Sequence, residues 1–189
     1  MLNNYNGSKV ARCLLILLVI IITGVGCTED KPQPPDVSNG KPTETQTGVT
    51  SNNNMVLTLY FATKDGTALV AEKREVTKNN HPAQTALSEL IAGPRNKDLV
   101  KVTPDTAKIR NIKIVNHVAY VDFNDAFVRD HWGGSAGEIL TISAVINTMT
   151  EFPEVKQVQF MVEGKDLVTL KGHLDLSEPL SRNEAIIKK

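Results

Sequence analysis

The stretch "SAGEILTISAVINTMTEFPEVKQVQFMVEG", residues 135–164, carries two hydrophobic periods in succession. In its first half Ile139, Ile142, Ile146 and Met149 recur at the spacing of one helical face, with Val145 alongside, and Pro153 stops the pattern. In its second half Val158, Phe160 and Val162 alternate with Gln157, Gln159 and Glu163, as in a strand with one apolar face. The stretch predicts a helix over 135–152 leading into a half-buried strand.

Upstream, "VAYVDF" (118–123) sets Ala119, Val121 and Phe123 on one face of another strand. Asn116-His117 joins it to "AKIRNIKIV" (107–115) as a two-residue hairpin turn. "HPAQTALSELIAGP" (81–94) has Pro82 near the first turn, Ala83, Leu87, Leu90 and Ile91 at helical spacing, and Gly93-Pro94 as stop signals. "MVLTLYFAT" (55–63) and "TALVAEKREV" (67–76) read as two strands joined by the turn "KDG", and Leu167–Leu170 is a candidate sixth strand. The order β-β-α-β-β-α-β, with one apolar and one mixed face per strand, predicts an α+β domain. Its expected core is a largely antiparallel five- to six-stranded sheet with two helices packed on one face and water on the other.

The same alternation nominates a partner-binding surface. Tyr60, Val118, Tyr120, Gln157, Gln159 and Met161, with Val56 and Thr58, are expected to line the open sheet face, where tyrosine supplies both an apolar ring and a polar tip. Trp132, the only tryptophan, is expected to anchor partly in the core.

The chain begins with Lys9 and Arg12 followed by the apolar run "CLLILLVIII" (13–22), a secretory pattern about half as long as the roughly 20 residues of a membrane span. Small residues in "TGVGC" stand directly before Cys27 and resemble a bacterial lipobox, which implies cleavage and lipid on Cys27; Gly24 departs from that pattern. Residues 28–54 hold four prolines, no aromatic residue and two valines, a composition that predicts a flexible tether. Residues 55–189 form the expected domain. Cys13 and Cys27 are the only cysteines, so the mature domain has no internal disulfide and no thiolate metal cluster. Without Lys9 and Arg12, 19 of the 21 basic residues remain against 21 acidic ones, which excludes a basic field for nucleic acid.

"LTLYFATKDGTALVAEKREV", "ALSELIAGP", "VAYVDFNDAF", the stretch from Gly137 to Gly164 and "GHLDLSEPL" together resemble, in this order, the GerMN domain of spore-germination and sporulation lipoproteins. The resemblance spans about Val56 to Leu180. It implies similarity to the small ring-building modules of envelope complexes, and hence partners among envelope proteins or ring-type assembly components. It also implies a lipid-anchored place on the extracytoplasmic face of the cell membrane. It brings no catalytic residues and no cofactor.

Ser135 has two readings. Gly133, Ser135 and Gly137 match the G-x-S-x-G nucleophile elbow, and Ser135, Asp166 and His173 follow the chain order of α/β-hydrolases. An elbow needs a strand ending at the turn, yet Phe123 ends its strand about ten residues earlier. Alternatively Ser135-x-x-Glu138 is a capping box, each residue's side chain bonding the other's amide. The capping reading is expected. His81, His117, His131 and His173 lack metal-ligand spacing and are expected at the surface or in loops. Asp122, Asn124 and Asp125 cluster as in calcium loops but lack the following glycine and distal glutamate. The expectation is a protein-binding module without catalysis; the alternatives are a small-ligand or cell-wall binder and a serine hydrolase using Ser135.

Overall fold

β1 (Asn54–Thr63) and β2 (Leu69–Thr77) pair antiparallel in unbroken register, from Asn54 opposite Thr77 to Ala62 opposite Leu69. The computed structural model describes residues 53–189. The expected signal segment with Cys27, and nearly all of the expected tether, lie outside the described residues. After β2 come α1 (Pro82–Ala92), β3 (Leu99–Val100), β4 (Ile109–Val115), β5 (Val118–Phe123), α2 (Ala126–Arg129) and α3 (Ser135–Met149). β6 (Gln157–Val162), β7 (Lys165–Asp166) and β8 (Leu180–Ser181) complete the order.

The α+β class holds, and most strand pairs are antiparallel. The strands divide between two sheets rather than forming one: β2-β1-β3, and β4-β5-β6-β7 with β8 also on β6. Helix α3 packs against β1 of the first sheet and β6 of the second, while α1 touches β1, β4 and α3. At Tyr60 the edge of β1 not used by β2 meets this helix, the Tyr60 amide donating to Thr148 Oγ1 at 3.2 Å. A helix thus stands where a single sheet would need a strand. β5 and β6 run parallel. Their connection passes through α2 and α3, and a helical crossover is the link that parallel neighbours require. β7 falls at Lys165–Asp166, just before the expected Leu167–Leu170 strand.

α3 is enclosed on nearly every side. From Leu140 to Met149 every residue is buried, including Thr141, Ser143, Asn147 and Thr148. Each buried polar group is paired: Asn147 exchanges hydrogen bonds with Asn183 at 2.9 Å in both directions, and the Asn183 side chain donates to Ser143 Oγ. The second-sheet core centres on a stack of Phe123, Phe127 and Phe160, the first two with ring centroids 4.1 Å apart. Leu59, Val121 and Phe160 are all core residues, as their alternation predicts. On the first sheet Arg74, 2% exposed, bonds the Glu72 and Glu89 carboxylates and the Glu89 and Gly93 carbonyls, so it ties β2 to the last turn of α1.

Candidate functional site

The open surface of the second sheet is built by register. Val115, Val118 and Gln157 lie abreast on β4, β5 and β6; so do Lys113, Tyr120 and Gln159, and so do Asn111, Asp122 and Met161. The β4–β5 hairpin that sets this register turns on Asn116 and His117, both at positive φ (50° and 65°), as in a type I′ turn. Tyr120 stands in the middle, half-buried, between Lys113 and Gln159, and with Lys113 and Met161 it lines a shallow hollow of about 430 Å³. Arg110 closes one end by bridging Asp122 at 3.0 Å and Glu163 at 3.3 Å.

Of the six residues expected on this face, Val118, Tyr120, Gln157 and Met161 share it and are half-buried. Gln159 shares it too but is buried, its amide donating to the Leu176 carbonyl at 3.0 Å under the C-terminal segment. Gln157 is held likewise by the Pro179 carbonyl. Tyr60 does not belong to the face: it lies on the first sheet and is 4% exposed. Its hydroxyl donates to Glu151 at 2.7 Å and accepts from Arg182 at 2.5 Å, and the Arg182 guanidinium stacks over its ring. Alternation marked Tyr60 as pointing away from Leu59, which is correct; a second layer of chain covers that side.

The Ser135 region departs from the capping box. Gly134 is the N-cap, and no side chain caps the helix. Gly133 and Gly134 enter it at φ near 80°, a region that glycine adopts without strain. Glu138, a full turn in, points inward with 0% exposure. Its carboxylate accepts the amides of Leu170 (3.1 Å), His173 (3.0 Å) and Leu174 (3.3 Å) and the Thr169 hydroxyl (3.2 Å). Four converging donors outcompete the one Ser135 amide, so the box does not form. Burial pushes the Glu138 carboxyl up, but these amides outweigh it and hold its pKa below the ordinary glutamate value. Ser135→Ala should therefore change stability by no more than about 0.5 kcal/mol in a denaturant titration, below the ~1 kcal/mol of a lost N-cap.

As to the hydrolase reading, Ser135 opens a helix that follows α2 and a loop rather than a strand. Among the described residues no hydrogen bond joins Ser135, Asp166 and His173. His131, expected in a loop or at the surface, lies in the loop between α2 and α3 but is buried there: Gly133 N–H donates to Nδ1, which leaves the proton on Nε2 to bond Thr141 Oγ1 at 2.9 Å. Burial, with Lys171 nearby, lowers its pKa. Trp132, expected to anchor partly in the core, is 58% exposed and stacks on the His131 ring at 4.7 Å. Asn124 bonds Lys108 N and the Thr106 carbonyl, while Asp122 and Asp125 pair with Arg110 and Arg129. The cluster is a strand-end network, and among the described residues no cluster of three or more His, Cys, Asp or Glu side chains is placed to hold a metal.

These features define a two-sheet α+β module whose accessible surface is a sheet face and a ridge carrying a tryptophan. Residues 58–168 match the Germane family, described as sporulation and spore germination, and the chain belongs to that family. Its fold is similar to the first GerMN domain of the sporulation protein GerM from Bacillus subtilis, with a TM-score of 0.59 at 24% identity over 68% of this chain and 98% of that one. It is also similar to the tandem GerMN domains of the same protein, with a TM-score of 0.60 at 21% identity over 68% of this chain and 46% of that one. The chain thus spans about half of the tandem structure and carries one GerMN-like domain. No curated protein matches it.

Proposed function

We propose that this chain is a protein-interaction module of the bacterial cell envelope, without catalysis of its own, serving sporulation or germination. Lipid on Cys27 holds it at the extracytoplasmic face of the membrane, and residues 28–54 give the domain reach. The observation that carries this reading is the face centred on Tyr120: Val115, Val118, Tyr120 and Met161 offer apolar surface, and Asn111, Lys113 and Asp122 supply a polar rim. A tyrosine-centred apolar patch with a polar border is the usual composition of a docking surface.

The test uses the full chain in sporulating cells. A photo-crosslinking amino acid at position 120 should yield discrete crosslinked proteins that the same group at exposed Lys73, on the first sheet, does not. Tyr120→Lys with Met161→Lys should keep the melting temperature within about 3 °C, since neither side chain is in the core, and should abolish capture of those proteins by the untagged face. Cys27→Ala should release the chain from membranes. Identical crosslinks from positions 120 and 73, or capture unchanged in the folded double variant, would sink the docking face.

A further inference from the structure

Trp132 is the only tryptophan of the chain, and it is exposed on a rigid mount. One indole face is stacked on buried His131, whose ring nitrogens are both engaged. The indole edge rests on α3 at Gly137, where a Cβ would lie 2.7 Å from the indole nitrogen, so only glycine admits this approach. A ring left 58% exposed gains only part of its burial for folding, and its fixed mount presents the free face to solvent.

Hollows flank the ring. One, of about 470 Å³, is bordered by the polar side chains of Lys101, Thr103, Asp105, Thr106 and Asp130. Thr103 is 1% exposed and its hydroxyl has no hydrogen-bond partner, an unmet demand that buried polar groups seldom carry. The other, of about 480 Å³, is lined by Ala62, Gly66, Val100, Gly137 and Leu140 among others. Most border charges are paired: Lys101 with Asp105, Arg129 with Asp130 at 2.9 Å, and Lys64 with Asp98 at 2.8 Å, while Asp65 is held by the hydroxyls of Thr63 and Thr67 instead of by a cation. A rim whose charges are mostly paired and lie in water exerts a small net field, so it suits an uncharged ligand with one apolar face and hydroxylated edges.

We propose that the Trp132 ridge binds an uncharged, N-acetylated pyranose glycan of the cell-wall type. The C–H face of a sugar ring stacks on the free indole face, and its hydroxyls bond Asp105, Thr106 and Asp130. The acetamido methyl enters the apolar hollow beside Val100 and Leu140. This site lies on the loop between α2 and α3 and is independent of the Tyr120 face.

Because Trp132 is the only indole, fluorescence of the full chain in detergent micelles, excited beyond the absorption of its three tyrosines, reports this site alone. A β-1,4-linked N-acetylglucosamine hexasaccharide should shift the emission to the blue in a saturable manner. The glucose hexasaccharide should bind about tenfold more weakly, and Trp132→Ala should lose at least about tenfold by calorimetry with its melting temperature kept. No spectral change at millimolar N-acetylated glycan overturns the proposal. So does undiminished binding by a folded Trp132→Ala, or tighter binding of dextran sulfate than of the neutral glycan. Should Trp132→Ala not fold, the wild-type titration decides alone.

Discussion

Glu138→Ala is expected to lower the melting temperature by roughly 10 °C, a loss of about 3 kcal/mol or more, and to loosen residues 169–174. The carboxylate is fully buried and is the common acceptor of three backbone amides and one hydroxyl from that segment. Removing it strands those donors, and each unsatisfied buried donor costs about 1–3 kcal/mol unless water or rearrangement reaches it. Glu138→Gln keeps one carbonyl acceptor but turns an N–H₂ donor toward other donors, so an intermediate loss is expected. Acid should act in the same direction. The folded pKa of Glu138 is depressed, so its contribution is complete above the unfolded value of about 4.3 and is lost as pH falls through the folded pKa. Thermal melts followed by circular dichroism between about pH 6 and pH 3 should show the wild type losing stability more steeply than Glu138→Gln. A Glu138→Ala melt indistinguishable from wild type would refute this role.

Phe160→Ala is the other large effect, expected to cost about 3–5 kcal/mol. Phe160 is 1% exposed and closes a stack with Phe123 and Phe127 at centroid distances of 6.4 and 6.5 Å. The stack joins β5, α2 and β6, and its rings cannot collapse into the void without moving three elements. In denaturant the transition midpoint should fall while its slope stays the same. Tyr120, beside Val121 in sequence, is the internal contrast: Val121 sits opposite Phe160 in the register, whereas Tyr120 faces the open side, so its replacement should hardly move the midpoint. A domain that loses more stability at Tyr120 than at Phe160 would reverse the assignment of faces.

Much of the local structure was legible in the order of residues. The helices at Pro82–Ala92 and Ser135–Met149 lie where apolar spacing and the Pro and Gly punctuation place them, and α3 ends three residues before the expected Phe152. The Asn116-His117 turn and the core role of Leu59, Val121 and Phe160 were readable for the same reason: side-chain period and turn chemistry act within a few residues. The short pieces β3, α2 and β8 carry too few residues for a period to show.

The misread residues share a different physics. Glu138 looked like a capping partner for Ser135, three residues back, but its acceptors' partner is His173 and its neighbours, 35 positions ahead. Tyr60 looked solvent-facing, but Arg182, 122 positions away, covers it. Trp132 is more exposed than the partial core anchor expected of it, and His131, though in a loop, is buried, because the glycine at 137 lets an indole lie against the helix and leaves the smaller imidazole beneath it. Composition and period settled, from the chain alone, that this is an α+β domain, and its ordered stretches resemble the GerMN domain. Which strands share a sheet, which polar groups are buried and which aromatic ring meets the solvent were decided only by the tertiary structure. Those outcomes depend on contacts between segments distant in sequence, where several donors or a whole packed layer outweigh any preference that neighbouring residues express.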